Sequence, residues 1–253
     1  MARFFIGSSL KMYFGHKRTL EWTRGVAEIC RAHSATTDGT VQFFVIPTFP
    51  SIPGTLELAQ PAGIAVGGQD LHWEDAGPFT GEVSGAELAE LGCTLVEIGH
   101  AERRAMFGET DEIVARKTLA GFRNGLAPVL CIGEAEPGAP AEAAERCIAQ
   151  LESALAPARS SGTGGQLVVA YEPNWAIGAP EPAPPEYVSA VCRALREHMA
   201  GDELFPDAKV IYGGSAGPGL LSRIAADVDG MFLGRFAHDP RAVRQILDEV
   251  DLL

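Results

Sequence analysis

Short apolar runs alternate with longer amphipathic stretches along this chain, and the alternation repeats eight times. The apolar runs fall at residues 4–7, 41–46, 64–67, 94–98, 127–131, 167–171, 209–212 and 230–233. They are rich in Val, Ile, Leu and Phe, as strands buried on both faces must be. Helical stretches fill the gaps, at 17–33, 51–58, 85–91, 111–124, 141–158, 186–199, 217–226 and 240–252. In the last of them Val243, Ile246, Leu247 and Val250 share one helical face, with Arg241, Arg244, Asp248 and Glu249 opposite. Eight strand–helix units in 253 residues predict an α/β fold, a (β/α)8 barrel of eight parallel strands with outer helices. A doubly wound sheet is the alternative, but it usually needs fewer strands, and the first turn, Gly7-Ser8-Ser9, is not a GxGxxG. No shift in composition marks an internal boundary, so residues 1–253 are expected to form one domain. The run Ser160-Ser161-Gly162-Thr163-Gly164-Gly165 reads as a surface loop, because each side of it holds only half a barrel.

The formal charge of −13 repels nucleic acid and anionic membranes, so neither is an expected partner. An anionic ligand would need positive potential built locally against that field. The five cysteines (Cys30, Cys93, Cys131, Cys147 and Cys192) form no CxxC pair. Cys93 and Cys131 lie in strand-like runs, where a buried free thiol is the ordinary reading, and the set predicts a reducing cytoplasm with no disulfide framework and no metal site. Residues 1–10 are too short for a signal peptide, and no apolar run approaches the length of a membrane span.

In a parallel barrel the C-terminal tips of all strands share one face, and that is where chemistry sits. The tips here are polar. Ser9 and Lys11 follow the first run, His100 and Glu102 the fourth, and Glu172 the sixth. Gly213-Gly214-Ser215 follows the seventh and Gly234-Arg235 the eighth. In Tyr171-Glu172-Pro173, the proline stops both the ladder and an immediate helix, leaving the carboxylate at a strand tip ahead of a long Pro/Gly loop. Each residue alone has an ordinary reading: a solvated Glu172, a turn histidine, a solvated Lys11, a Glu102 paired with Arg103 or Arg104. Convergent on one face, they supply a base, an imidazole, an ammonium and two glycine-rich turns. Gly213-Gly214-Ser215 precedes the expected helix at 217–226, so its amides are expected to face an anion above the barrel.

Several motifs then carry a resemblance across the whole chain. They are Lys11-Met12, Phe79-Thr80-Gly81-Glu82, Ile98-Gly99-His100-Ala101-Glu102-Arg103-Arg104, Phe107-Gly108-Glu109-Thr110, Cys131-Ile132-Gly133-Glu134, Tyr171-Glu172-Pro173, Trp175-Ala176-Ile177-Gly178 and Tyr212-Gly213-Gly214-Ser215. In this order and at these barrel positions they resemble the triosephosphate isomerase family. The resemblance implies a TIM barrel that needs no cofactor and no metal. It also implies a homodimer whose loop 69–82 reaches into the partner, with Thr80 near the neighbouring site. By the same resemblance Glu172 removes a proton beside the substrate carbonyl and His100 polarises that carbonyl. Lys11 supplies positive charge, Glu102 is a buried partner that positions the lysine, and residues 173–183 form a lid. Ser9, Gly178, Gly213, Gly214, Ser215, Gly234 and Arg235 would bind the phosphorylated sugar. The aromatic run of loop 69–82, Trp73 and Phe79 included, is expected to be exposed and to seek a partner surface.

The chain departs from the family pattern at the pocket wall. Ser9 stands for the usual Asn, Leu10 for Trp, Ala101 for Ser, Asn174 for Val, and Gly234-Arg235 for Gly-Gly. The lid tip is Ala179-Pro180-Glu181. The base, imidazole and ammonium remain. The main expectation is therefore a cofactor-free aldose–ketose isomerase interconverting dihydroxyacetone phosphate and glyceraldehyde 3-phosphate, in glycolysis and gluconeogenesis. The alternative is a tetrulose-phosphate isomerase acting on erythrulose phosphate. Arg235 and the His72-Trp73 run resemble that branch, and Ser9 leaves room for a hydroxymethyl group. Arg235 would then reach the phosphate or swing outward to an acidic neighbour. A non-catalytic phosphate-binding barrel is the third reading, and the survival of Lys11, His100 and Glu172 argues against it.

Overall fold

The computed structural model describes residues 2–253. Its strands are β1 (Phe4–Ser9), β2 (Val41–Ile46), β3 (Ala65–Gly68), β4 (Leu95–Ile98), β5 (Ala127–Ile132), β6 (Val168–Tyr171), β7 (Lys209–Tyr212) and β8 (Gly230–Leu233). They form a closed barrel in sequence order, each strand parallel to its neighbours, with β8 returning to β1. Outside lie α1 (His16–Ala32), α2 (Ser34–Thr37), α3 (Ile52–Ala59), α4 (Gly85–Leu91), α5 (Ala101–Phe107), α6 (Asp111–Arg123), α7 (Pro140–Ser161), α8 (Pro185–Met199), α9 (Leu221–Ile224) and α10 (Pro240–Val250).

Strand alternation decides what enters the barrel. Phe5, Phe44, Leu95, Val129, Val168, Ile211 and Phe232 form the inner cluster. Their neighbours one residue away, such as Val96, Leu130 and Val169, face the helix layer. Counting on by twos from the inner positions reaches Ser9, Glu97, Glu172 and Gly213 at the C-terminal mouth. The polar tips therefore continue the inward series. On the outside, α10 buries Val243, Ile246, Leu247 and Val250, the face its spacing marks out. Each such side chain contributes about 1.5–3 kcal/mol on burial. Trp22 of α1 also donates its indole N–H to the Ala237 carbonyl at 2.7 Å, tying the first helix to the segment after β8.

Three features differ from the sequence reading. α2 and α5 are additional helices. The expected helix at 217–226 shrinks to the single turn of α9, because Pro218 and Gly219 (φ 86°) keep the chain out of helical geometry before Leu221. α7 runs on through Ser160 and Ser161 and ends in a left-handed cap at Gly162, so only the glycine-rich half of that run is loop. All five cysteines are buried free thiols. Among the described residues, no helix is long and apolar enough to cross a membrane.

Candidate active site

A pocket of about 690 Å³ opens at the C-terminal mouth of the barrel. Of the site residues expected from sequence, Ser9, Lys11, His100, Glu102 and Glu172 line it, as do Gly178, Gly213, Ser215, Gly234 and Arg235. Gly214 does not.

Glu172 follows β6 directly, and its backbone N–H donates to the Ile132 carbonyl at 2.8 Å. Pro173 then turns the chain away. The carboxyl group is buried, and among the described residues Oε2 has no hydrogen-bond partner. The carboxylate fits only because residue 213 is glycine, since a Cβ there would lie 2.6 Å from Glu172 Oε1. His100 caps the N-terminus of α5, its Nδ1 accepting the Glu102 backbone N–H at 3.1 Å. That bond leaves the ring proton on Nε2, and Nε2 lies 3.7 Å from Glu172 Oε2.

Lys11 sits in the left-handed region at φ 47°, uncommon for a residue with a Cβ. Its Nζ pairs with Glu102 Oε1 at 2.7 Å. Burial works against the ammonium, but the Glu102 bond and the charges of Glu102, Glu172 and Glu97 prevail and hold its pKa above the ordinary lysine value. Burial likewise works against ionised Glu102, and Lys11 overcomes it, holding that carboxyl below its ordinary value. The pairing matches expectation but the burial does not: the Glu102 side chain is 46% exposed, because α5 lies on the surface and buries none of its residues.

Sequence reasoning passed over Glu97. It lies on β4 with the inward parity of Leu95, is 3% exposed, and accepts the Ser9 hydroxyl at 2.7 Å on Oε2. Its Oε1 is 3.9 Å from His100 Nε2. Burial pushes its pKa up to about 6, and Glu172 adds to that against the opposing effects of His100, Ser9 and Lys11. The signal was a lone carboxylate between Val96 and Ile98 in an apolar strand.

The anion side of the pocket also differs from expectation. With α9 beginning only at Leu221, no helix N-terminus stands directly behind Gly213-Gly214-Ser215. Ser215 directs its hydroxyl at lid carbonyls, Ala176 at 2.8 Å and Ala179 at 3.0 Å. The exposed Arg235 takes neither expected course, donating instead to the Gly178 carbonyl at 3.3 Å. Gly178 itself has φ 71° at the bend of the lid. Glu134, quoted above only within a motif, anchors the first hinge. Its carboxylate accepts the Trp175 indole N–H at 2.8 Å and the Tyr187 hydroxyl at 2.9 Å, and its carbonyl accepts the Asn174 N–H at 2.9 Å. The second hinge is held by the Ala183 N–H donating to the Tyr212 hydroxyl at 3.0 Å. His238, also unforeseen, lines the pocket beside Tyr13 and Phe14, and burial, Arg18 and Arg235 together depress its pKa.

The start of loop 69–82 is packed in, while residues 74–82 are exposed. His72 is buried and stacks with Trp73 and Phe79 at 4.2 and 4.1 Å, and the Arg116 guanidinium covers Trp73. Of the loop's aromatic side chains Phe79 is the one left exposed, at 37%. Beneath the loop, Asp70 is held by Lys117 at 2.7 Å and Arg103 at 2.8 Å.

Comparison with known proteins agrees with this architecture. The family model for triosephosphate isomerase matches residues 4–250. L-erythrulose-1-phosphate isomerase of Pectobacterium atrosepticum is 52% identical over 244 residues, covering 96% of this chain and 94% of that protein. Triosephosphate isomerase of Alkalilimnicola ehrlichii is 42% identical over 234 residues, covering 88% and 91%. L-erythrulose-1-phosphate isomerase of Rhizobium rhizogenes is 38% identical over 255 residues, covering 97% and 94%. With the closed parallel barrel and the match along nearly its whole length, the chain belongs to the triosephosphate isomerase family.

Proposed function

We propose that this protein isomerises a tetrulose phosphate of the L-erythrulose 1-phosphate type. The observation that carries the substrate is the 52% identity to the Pectobacterium erythrulose-phosphate enzyme, against 42% to the Alkalilimnicola triosephosphate isomerase. It moves the triose, the main expectation from sequence, to second place, and glycolysis and gluconeogenesis with it.

The site residues have consistent roles in this reading. Glu172, with Oε2 buried and unpartnered, takes the proton from the carbon beside the carbonyl. His100 presents its Nε2–H to the carbonyl oxygen, and Lys11 offsets the charge of the phosphate and the enediolate. A positioned general base contributes roughly 10²–10⁴-fold. In a tetrulose 1-phosphate the carbonyl is at C2, and the acidic proton on the side away from the phosphate is at C3. Removing it gives a C2–C3 enediolate, and returning a proton at C2 leaves the carbonyl at C3. The product is a tetrulose 4-phosphate, so one ketose becomes another. Electrons and atoms balance within the substrate, which supports a reaction with no cofactor or metal. The lid excludes water and strengthens each electrostatic contact.

A homodimer through loop 69–82 belongs to the same proposal. Exposed Met12 (90%), Met106, Phe107 and Phe79 are the apolar surface that supports it. An active monomer in sedimentation would count against it. The buried thiols and the charge of −13 support a cytoplasmic setting without nucleic-acid or membrane partners.

The deciding measurement is kcat/KM of the purified protein on L-erythrulose 1-phosphate and on dihydroxyacetone phosphate. Preference for the triose by more than about a hundredfold, ~2.7 kcal/mol of discrimination, sinks the tetrulose reading.

A further inference from the structure

The reaction outlined above has no use for Glu97, yet this carboxylate is buried at the mouth of the barrel beside His100. Burying an ionised carboxylate costs several kcal/mol unless it is paired. Glu97 has no cation to itself, since Lys11 pairs with Glu102. Its close partner is the Ser9 hydroxyl, at 2.7 Å. Packing alone would favour an apolar side chain here, as at the inward positions Leu95, Val129 and Ile211.

A serine hydroxyl has one proton and two lone pairs, whereas an ionised carboxylate only accepts. Ser9 therefore gives its proton to Glu97. What its oxygen keeps for the pocket, which Ser9 lines, is acceptor capacity. We infer that Ser9, its proton held by Glu97, accepts the hydroxyl of the substrate's hydroxymethyl group, and that Glu97 is the positioning residue that sets this polarity. The inference rests on the tetrulose reading and deepens it. A substrate that places an O–H at Ser9 gains a hydrogen bond, and one that places nothing there leaves the acceptor without a donor. Dihydroxyacetone phosphate carries a hydrogen where the tetrulose carries the hydroxymethyl group.

The experiment compares kcat/KM on L-erythrulose 1-phosphate with that on its 4-deoxy analogue, in which a methyl group replaces the hydroxymethyl. Wild type, Ser9→Ala and Glu97→Gln are assayed. A site built around a substrate hydroxyl rejects the analogue that lacks it. Wild type should favour the parent by at least about tenfold. In Ser9→Ala the ratio should fall to near one. In Glu97→Gln the amide can donate to Ser9 and free the serine proton toward the pocket, so the ratio falls there too. A folded Glu97→Gln that loses activity equally on both compounds, keeping the wild-type ratio, overturns the inference. So does a wild-type enzyme that converts L-erythrulose 1-phosphate without discriminating against the analogue, a comparison that needs no variant to fold. A wild type that does not convert L-erythrulose 1-phosphate at all is a separate outcome, which overturns the substrate reading and this inference together.

Discussion

Glu172 Oε2 stands 3.7 Å from His100 Nε2, beyond hydrogen-bonding distance, and no other group among the described residues satisfies it. Leaving a buried acceptor unmade costs about 1–3 kcal/mol, a cost that a ligand bound over both groups would relieve. Replacing Glu172 by Asp keeps the charge but withdraws it by one methylene. Misplacement of about 1 Å can cost on the order of a hundredfold when geometry carries the catalysis. Turnover should fall at least that far with the thermal midpoint little changed. Near-wild-type turnover would mean another residue is the base.

Gly213→Ala tests the same carboxylate from the other side. The added methyl would sit 2.6 Å from Glu172 Oε1 and 2.7 Å from its Cγ, so the carboxylate must move. Glycine 213 is not in the left-handed region, which leaves steric displacement as the main effect. kcat should drop roughly a hundredfold. A variant with full kcat would show that the base has room to spare.

Glu97 gives a pH signature in stability. Its pKa in the folded protein, about 6, lies above its ordinary value of 4.5. Below pH 4.5 the carboxyl is neutral both folded and unfolded; as pH rises through about 6 the folded state must ionise it in a buried site. The protein therefore loses about 2 kcal/mol across that window from this group. His100, Glu172 and Lys11 face the same carboxyl and remain in the variant. Glu97→Gln should stabilise the fold by about that amount at pH 8 and by almost nothing near pH 4.5. Denaturant midpoints at the two pH values measure it, and an equal effect at both would count against the buried-charge account.

Arg235 tethers the lid through the Gly178 carbonyl at 3.3 Å. An exposed bond of this kind contributes about 0.5–1.5 kcal/mol. Arg235→Ala should therefore speed protease nicking within residues 173–183 by about fivefold without ligand. A phosphate-bearing inhibitor should slow nicking in both proteins. Equal rates in wild type and variant would assign the lid's restraint to Ser215 and the hinges alone.

The fold was legible because every strand here is buried on both faces and reads as an apolar run. α10 was legible for the matching reason, with one clean buried face. α5 was not, because it buries no residue and so carries no periodicity. The helix at 217–226 was overdrawn because apolar spacing outweighed Pro218 and Gly219. At the site, residues at strand tips could be placed by counting. Pairings between distant segments could not: Ser9 and Glu97 are 88 residues apart, and the Lys117–Asp70 pair spans 47. Glu97 also stands one residue ahead of the Ile98–Arg104 motif, outside the residues that carry the resemblance. The course of Arg235 depends on where the lid lies, which no local pattern encodes.

The barrel closes where β1 meets β8, and the Ser8 hydroxyl crosses that seam to the Leu233 carbonyl, 225 residues away. The ribosome makes Ser9 and Lys11 early, and the strand that completes their surroundings late. Until Gly230–Leu233 has emerged, β1 has one exposed edge and the site has no eighth wall. Contacts this distant in sequence are the slowest to form. A nascent chain stalled before β8 should therefore hold the proposed base, imidazole and ammonium and still be inert, its activity waiting on the strand that closes the barrel.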